Sequence, residues 1–322
     1  MTDTKVGYET ILVDDDTGVV TITLNRPDKM NALNWRLGLE LRHAIVKADE
    51  RDDVRAIVVT GAGRAFCAGQ DLSSGADAFR GGDTADREER KRVTEELTVE
   101  AKDYWEMNTP IVAAINGAAV GAGLTIPLQW DIRIAAEDAK LGFVFNRRGV
   151  MPELNAMFIV PRVVGLSLGL ELLLTGRIFS GREAADMGLV SAALPKEDVL
   201  PKALEIAHDI ATNVAPVSAG LVKRLVYLGT TQTDAPKALE IARDIATNVA
   251  PVSAAVLKRL VYMGTTQTDA PRAQRFNHKL FGWTTRQPDA MEGPTAFMEK
   301  REPDWKLSKN ADFPEELFGE TS

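Results

Sequence analysis

The stretch Ile111-Val112-Ala113-Ala114-Ile115-Asn116-Gly117-Ala118-Ala119-Val120-Gly121-Ala122-Gly123-Leu124 decides how this chain folds. From residue 111 to residue 128 the only polar side chains are Asn116 and Thr125. Such a run is long enough to span a bilayer. Its interior argues otherwise: Asn116-Gly117 is a turn signal, Gly121, Gly123 and Pro127 interrupt it, and Asp131 follows at once. It reads as a buried strand over 111–115 that leads into a buried helix. Small residues at a strand end let backbone N–H groups approach a ligand closely. The free N–H groups and dipole at a helix start also favour developing negative charge.

A second corner of this kind lies upstream. Residues 56–60 form a short β-branched run closed by Gly61-Ala62-Gly63, and Arg64-Ala65-Phe66-Cys67-Ala68-Gly69-Gln70-Asp71-Leu72 follows. Either corner alone is ordinary, because Gly/Ala-rich turns are common. Together they point to two backbone donors facing one oxygen, an oxyanion hole.

Outward from these corners the pattern is α/β. Apolar runs at 9–13 and 19–24 flank Asp14-Asp15-Asp16-Thr17-Gly18 and predict a hairpin. Residues 34–51 have helical spacing, with Leu37, Leu41, Ala44, Ile45 and Ala48 on one face. Short strands are predicted at 132–135 and 141–144, and helical patterns dominate from about 153 onward. Residues 73–86 read as a polar, glycine-containing loop and 87–107 as a charged, solvated helix. This order gives an α/β core over 1–200 and a helical region over 201–322.

Composition narrows the function classes. The 322 residues include 38 basic and 46 acidic side chains, a net charge of −8, which argues against a nucleic-acid partner. Cys67 is the only cysteine, so no intrachain disulfide or CxxC metal site is expected. His43, His208 and His278 lack ligand spacing, so no metal is expected. Met1-Thr2-Asp3-Thr4-Lys5 has no apolar core, and a cytoplasmic protein without a membrane partner is the expectation. Gly165-Leu166-Ser167-Leu168-Gly169 matches the GxSxG nucleophile elbow, which needs a strand entering the turn. Pro161-Arg162-Val163-Val164-Gly165 does not read as a core strand, and an N-cap serine is the simpler account of Ser167.

The helical region contains a tandem duplication, 202–236 followed by 237–271. At a shift of 35 only five positions differ: His208/Arg243, Gly220/Ala255, Leu221/Val256, Val222/Leu257 and Leu228/Met263. Each copy reads as a helix, an Ala-Pro break, a second helix and a Thr/Gln/Asp loop. Helical-repeat architectures need about three or more units. Two near-identical copies therefore read as a local duplication that lengthens the helical tail rather than building a site.

The chain resembles the crotonase (enoyl-CoA hydratase/isomerase) superfamily. The likeness runs through Leu24-Asn25-Arg26-Pro27…Asn31-Ala32-Leu33, both corners, and Asp131-Ile132-Arg133-Ile134-Ala135. It continues through Pro161-Arg162-Val163-Val164-Gly165, Leu174-Thr175-Gly176 and Ala184-Ala185-Asp186-Met187-Gly188-Leu189-Val190, and resumes at Glu292-Gly293…Ala296-Phe297-Met298-Glu299-Lys300-Arg301. The resemblance implies a crotonase-like spiral of ββα units with a helical C-terminal trimerisation region. It implies acyl-CoA substrates, no cofactor beyond the coenzyme A of the substrate, and a homotrimer or dimer of trimers. The backbone N–H groups of Gln70 and Ala122, with Gly121 beside them, would hold the thioester oxygen as it becomes an enolate. Ala65, Ala68, Gln70, Asp71 and Leu72 would line the CoA path. Arg26, Lys29 and Arg64 are candidates for its phosphates, and the loop 73–86 would cover the acyl end.

Hydratases of this superfamily use two glutamates, and the matching positions here hold Thr125 and Phe145. Neither carries a proton at neutral pH. One carboxylate remains nearby, Glu153 in Arg147-Arg148-Gly149-Val150-Met151-Pro152-Glu153. That placement is similar to Δ3,Δ2-enoyl-CoA isomerases, in which one glutamate moves a proton between C2 and C4. Flanking Phe143, Phe145, Met151 and Phe158 would raise its pKa toward the operating pH. The competing account is a helix-start glutamate stabilised by the dipole. Arg147 and Arg148 are candidates to pair with Glu153 or with the ligand. The expected function is enoyl-CoA isomerase/hydratase with a single glutamate acid/base. Enoyl-CoA hydratase proper, acyl-CoA hydrolase, a Ser167 serine hydrolase and a non-catalytic CoA-binding scaffold are the alternatives.

Overall fold

β3 (Ala56–Gly61) and β5 (Ile111–Ile115) are buried at every position. A strand covered on both faces has no reason to alternate and belongs in a parallel sheet between other layers. In the computed structural model the two are parallel neighbours, with Val58 opposite Val112. They form the centre of a six-stranded sheet. β1 (Ile11–Asp16) and β2 (Val19–Leu24) lie on one side, and β7 (Ile132–Ala136) and β10 (Ala192–Leu194) on the other. Only the β1–β2 hairpin is antiparallel within it. The structure describes residues 7–73, 87–99, 103–216, 219, 223, 278–301, 304–307 and 312. The loop 74–86 and the second repeat copy lie outside them. Among the described residues no helix is long and apolar enough to cross a membrane.

A second sheet contains β4 (Ala65–Cys67), β6 (Ala118–Val120), β8 (Lys140–Gly142) and β9 (Ile178–Ser180). Each turn of the chain feeds both sheets: β3 gives way to β4, β5 to β6, and β7 to β8. This is the spiral of ββα units that the resemblance implies. The corners between paired strands are short, and the two glycine-containing ones stand side by side because β4 pairs with β6.

Several sequence expectations need correction. β1 extends through Asp16, so Asp14 and Asp15 are strand residues rather than loop. Acidic side chains are tolerated there because β1 is an edge strand whose residues 12–16 are all exposed. The turn is only Thr17 and Gly18, both at positive φ, as a tight hairpin demands. The strand expected at 141–144 is Lys140–Gly142, and Phe143 and Val144 instead lead into a short 3-10 turn at Asn146–Arg148. The helix expected over 87–107 ends early: α2 is Arg87–Glu96, and Tyr104–Glu106 is a separate 3-10 turn closed by an Asp103/Glu106 capping box.

The helices pack where their apolar faces require. α1 (Trp35–Asp49) starts at Asn34, whose side chain accepts from Leu37 N at 2.9 Å. α3 (Ala122–Leu128) follows β6 directly. α4 (Ala156–Val164), α5 (Leu166–Thr175) and α6 (Gly181–Asp186) lead to α7 (Lys196–Asn213). α7 contains residues 202–213 of the first repeat copy and lies across β2, β3, β5, β7 and β10, with Val199, Ala203 and Ala207 buried. The first helix of that copy thus packs on the main core, and the expected tail extension by the extra hairpin falls outside the described residues. α8 (Asp289–Glu299) packs on the Asn146–Arg148 turn, where the Arg148 guanidinium sits 3.8 Å from the centre of the Phe297 ring.

Candidate active site

The two corners touch through their backbones. A Cβ on Gly123 would lie 2.0 Å from the Cys67 carbonyl oxygen, so no larger residue fits. Gly69 has φ +86°, and a Cβ there would meet Val120 O at 2.4 Å and stand 3.7 Å from Ala122 N. Leu33 binds the strand end from the opposite edge: its N–H donates to Gly69 O at 2.7 Å and its carbonyl accepts from Asp71 N at 2.9 Å. Strand alternation then turns the N–H of Gln70, the residue between, toward the edge that carries β6. Ala122 is the first residue of α3 and has no intrahelical acceptor for its N–H. α3 has only seven residues, so the amide itself matters more than any macrodipole.

Two asparagines that the sequence reading left without a role hold this arrangement. Asn116 Nδ2 donates to Gly61 O at 2.7 Å and its Oδ1 accepts from Gly61 N at 3.2 Å, tying one corner to the other. Buried Asn31 donates to Ala62 O and Ala65 O at 3.0 and 2.8 Å and accepts from Arg26 N at 2.8 Å. Asn116 lies beside Gly117, which signals a turn but not the partner, and Asn31, between Met30 and Ala32, carries no such local signal.

Glu153 is half-buried between buried Pro152 and the backbone turn that opens α4. It is not a helix-start residue: α4 begins at Ala156, and the dipole account fails. Leu154 and Asn155 follow at φ 53° and 59°. Two consecutive non-glycine residues in the left-handed region cost about 1 kcal/mol or more each, a strain often found at functional sites. Burial alone pushes the Glu153 carboxyl up from 4.5 to about 7. Neither Arg147 nor Arg148 offsets this. Arg147 Nε donates to Thr175 O at 2.6 Å, while Arg148 Nη1 donates to Arg147 O and its guanidinium stacks on Phe297. Thr125 is fully buried, with Oγ1 3.5 Å from Ala122 O. Phe145 is buried, and its Cζ would be 3.9 Å from a Cβ on Gly121.

The other predicted residues divide. Arg26 donates to Asp71 at 3.0 Å and to the Ala32 carbonyl, so both partners serve to fasten the first corner. Burial alone would raise the Asp71 carboxyl, but the Ser73 and Arg26 hydrogen bonds hold it below the usual range. Ala65 is buried in β4, whereas Ala68 and Leu72 are partly exposed. Lys29 and Arg64 are exposed, Arg64 directly after the Gly61–Gly63 turn, and Lys196 Nζ donates to Gly63 O at 3.2 Å. Burial raises the Cys67 thiol to about 12, which removes it as a nucleophile at neutral pH. Ser167 is not an N-cap: Gly165 holds that position and Ser167 is the second residue of α5. α4 rather than a strand precedes it, so the elbow geometry is missing.

A sequence model for enoyl-CoA hydratase/isomerase matches residues 14–234. The chain belongs to the enoyl-CoA hydratase/isomerase family. It is 39% identical over 193 residues to a probable enoyl-CoA hydratase from Rhodobacter capsulatus, covering 60% of this chain and 72% of the relative. It is 32% identical over 225 residues to 1,2-epoxyphenylacetyl-CoA isomerase from Escherichia coli, covering 70% and 84%. The crystal structure of an enoyl-CoA hydratase/isomerase from Pseudoalteromonas atlantica superposes with a TM-score of 0.68 at 27% identity, covering 92% of this chain and all of that one. The chain is an enzyme of the enoyl-CoA hydratase/isomerase family with a crotonase-type fold. The family match ends within the first repeat copy, the copy that structure places on the main sheet.

Proposed function

We propose that this enzyme moves a proton along an unsaturated acyl-CoA through an enolate, with Glu153 as the single acid/base. The Gln70 and Ala122 N–H groups are assigned to the thioester oxygen. The observation that carries the reading is a carboxylate whose pKa burial lifts to about 7, just ahead of α4, the helix that packs on the α3 helix begun by Ala122. Glu153 removes the α-proton, the two amides stabilise the enolate oxygen, and the same carboxyl returns the proton to the γ-carbon. A pKa near the working pH serves both transfers. One oxyanion donor is typically worth about 3–4 kcal/mol.

Apolar Phe145 and buried Thr125 stand where water addition would need a second carboxyl, which favours isomerisation. The similarity to an epoxyphenylacetyl-CoA isomerase supports the same choice. Hydration by Glu153 alone is the second reading, favoured by the similarity to proteins named enoyl-CoA hydratase. Exposed Lys29 and Arg64 are the cations assigned to the CoA phosphates. Phe297 and Met298 on α8, 50% and 57% exposed, are assigned to a subunit interface in a trimer or dimer of trimers.

The deciding experiment is solvent-deuterium exchange at C2 and C4 of an enoyl-CoA. Glu153→Gln should abolish exchange while CoA affinity stays within a few-fold. Undiminished exchange removes Glu153 from the mechanism. Accumulation of 3-hydroxyacyl-CoA by the native enzyme in place of the shifted alkene selects hydration.

A further inference from the structure

α8 meets the Asn146–Arg148 turn backbone to backbone. Gly293 sits in the middle of this helix, and a Cβ there would lie 2.2 Å from the Arg148 carbonyl carbon and 2.5 Å from its Cα. Gly149 answers from the other side: its φ is +70°, and a Cβ there would lie 1.8 Å from the Asp289 carbonyl oxygen. Alanine is the better helix former, so the contact and not the helix explains a glycine at 293. The Arg148 guanidinium reinforces the joint by stacking on the Phe297 ring at 3.8 Å. α8 is itself tied down. Glu292 accepts from Arg301 at 2.5 and 3.0 Å and from Asp304 N at 2.6 Å, while Asp289 accepts from Lys306 N at 2.7 Å. Residues 301, 304 and 306 thus hold the first turn of the helix.

The turn that α8 grips leads to Glu153. Val150 N donates to Phe145 O at 3.2 Å and closes the turn. Asn146 Nδ2 and Arg147 Nε fasten it to the Leu173 and Thr175 carbonyl oxygens at the end of α5, at 2.9 and 2.6 Å. Between Gly149 and Glu153 stand Val150, Met151 and Pro152, all buried. Close packing leaves such side chains no slack, and proline fixes its own φ. A displacement of the turn is therefore passed along to Glu153. Beyond Glu153 the left-handed pair Leu154 and Asn155 enters α4 at once, and Ala156 N donates to Glu153 O at 3.1 Å. The carboxyl hangs between two fixed ends, α4 on one side and the α8 joint on the other.

We infer that α8 is a positioning element for Glu153, acting through Gly293 and through the Arg148–Phe297 stack. The inference rests on Glu153 as the acid/base. Gly293 has no side chain to offer a substrate, and the Arg148 guanidinium is occupied by Phe297 and the Arg147 carbonyl. Both act through the turn that presents the carboxyl.

The test compares Gly293→Ala, Gly282→Ala and Glu153→Gln in the full chain. The readouts are C2/C4 deuterium exchange, kcat and KM taken separately, and the pH at which kcat/KM levels off. A Cβ on Gly282 would meet nothing within 4 Å, so that variant controls for an added methyl group. Gly293→Ala should lower kcat about 10-fold or more with KM within a few-fold, because misplacing a reacting group by about 1 Å is that costly. The plateau of kcat/KM should also begin about half a pH unit or more below the native value, as water reaches the displaced carboxyl. A merely structural helix would lower the thermal midpoint and leave the pH limb in place. An unmoved limb in folded Gly293→Ala therefore overturns the inference, whatever happens to kcat. A Gly282→Ala protein that changes as much overturns it too. Should Gly293→Ala fail to fold, Arg148→Met decides, because it removes the stack without adding bulk. A lower kcat with a moved limb supports the inference, and an unmoved limb overturns it. Exchange retained by Glu153→Gln overturns the acid/base reading and this inference together. Exchange lost there, beside a native limb in Gly293→Ala, overturns the positioning alone.

Discussion

Glu153→Gln should make the protein more stable in alkaline solution even as it stops proton transfer. The carboxyl has an ordinary value of 4.5 in the unfolded chain and about 7 when folded. Between these values the native state keeps a proton that the unfolded chain has lost. Stability therefore falls as pH rises through that window, and the full penalty is present above pH 7. At 1.36 kcal/mol per pH unit, the gap from 4.5 to about 7 bounds the penalty near 3.4 kcal/mol. Glu153 is partly open to solvent, which trims the figure to about 2–3 kcal/mol. Glutamine keeps the shape and cannot ionise. The variant should unfold roughly 4–8 °C higher than the native protein at pH 8. At pH 4.5 the difference should nearly vanish, because the native carboxyl is then protonated. Thermal unfolding at the two pH values measures both numbers. Equal midpoints at pH 8, or a less stable variant, would mean that a partner holds the carboxylate and that desolvation is the wrong account.

Gly123→Ala should separate the corners, since its Cβ would lie 2.0 Å from Cys67 O; turnover of an enoyl-CoA should drop about 100-fold or more, and unchanged turnover would break the link between corner contact and catalysis. Arg26→Met should lower stability by about 1–3 kcal/mol by stranding Asp71, visible in urea unfolding, whereas Arg64→Met should leave stability alone and weaken CoA binding several-fold by calorimetry. The kcat/KM profile should rise with pH and level off above about 7, as Glu153 loses its proton; a limb near 4.5 would point to a different base.

Much of the fold was legible because burial is written into composition. The apolar runs of β3 and β5 could not be surface strands, and the glycine corners had to sit where backbone meets backbone. The three-residue strands β4 and β6 were not legible, because so short a run carries no period. Arg26 looked like a phosphate ligand because a cation's sequence neighbours do not reveal a carboxylate 45 residues away. Glu153 was found as the carboxylate that remains once the two acid positions of the resembled hydratases hold Thr125 and Phe145. The left-handed turn after it was invisible, since Leu154 is a poor candidate for positive φ. The duplication was plain in sequence, whereas the packing of 202–213 on the main sheet was not, because α7 begins before the repeated unit and buries Val199 ahead of it.

The loss of two acids and the pKa of the third are one physical fact. Two carboxylates sharing a site repel, so one is pushed up and the other down, and their protons leave in separate coupled steps. Such a pair suits water addition, where one group activates the water and the other delivers a proton. With threonine and phenylalanine at those positions, burial is what raises the proton affinity of Glu153. Donor and acceptor strength then belong to the same group at the same pH. In the proposed isomerisation a proton taken from one carbon would be held just tightly enough to be returned to another, and no second group would have to be reset between turnovers. The buried Phe145 ring at the Gly121 corner presents no carboxyl that could activate a water there, which fits a transfer between carbons rather than an addition.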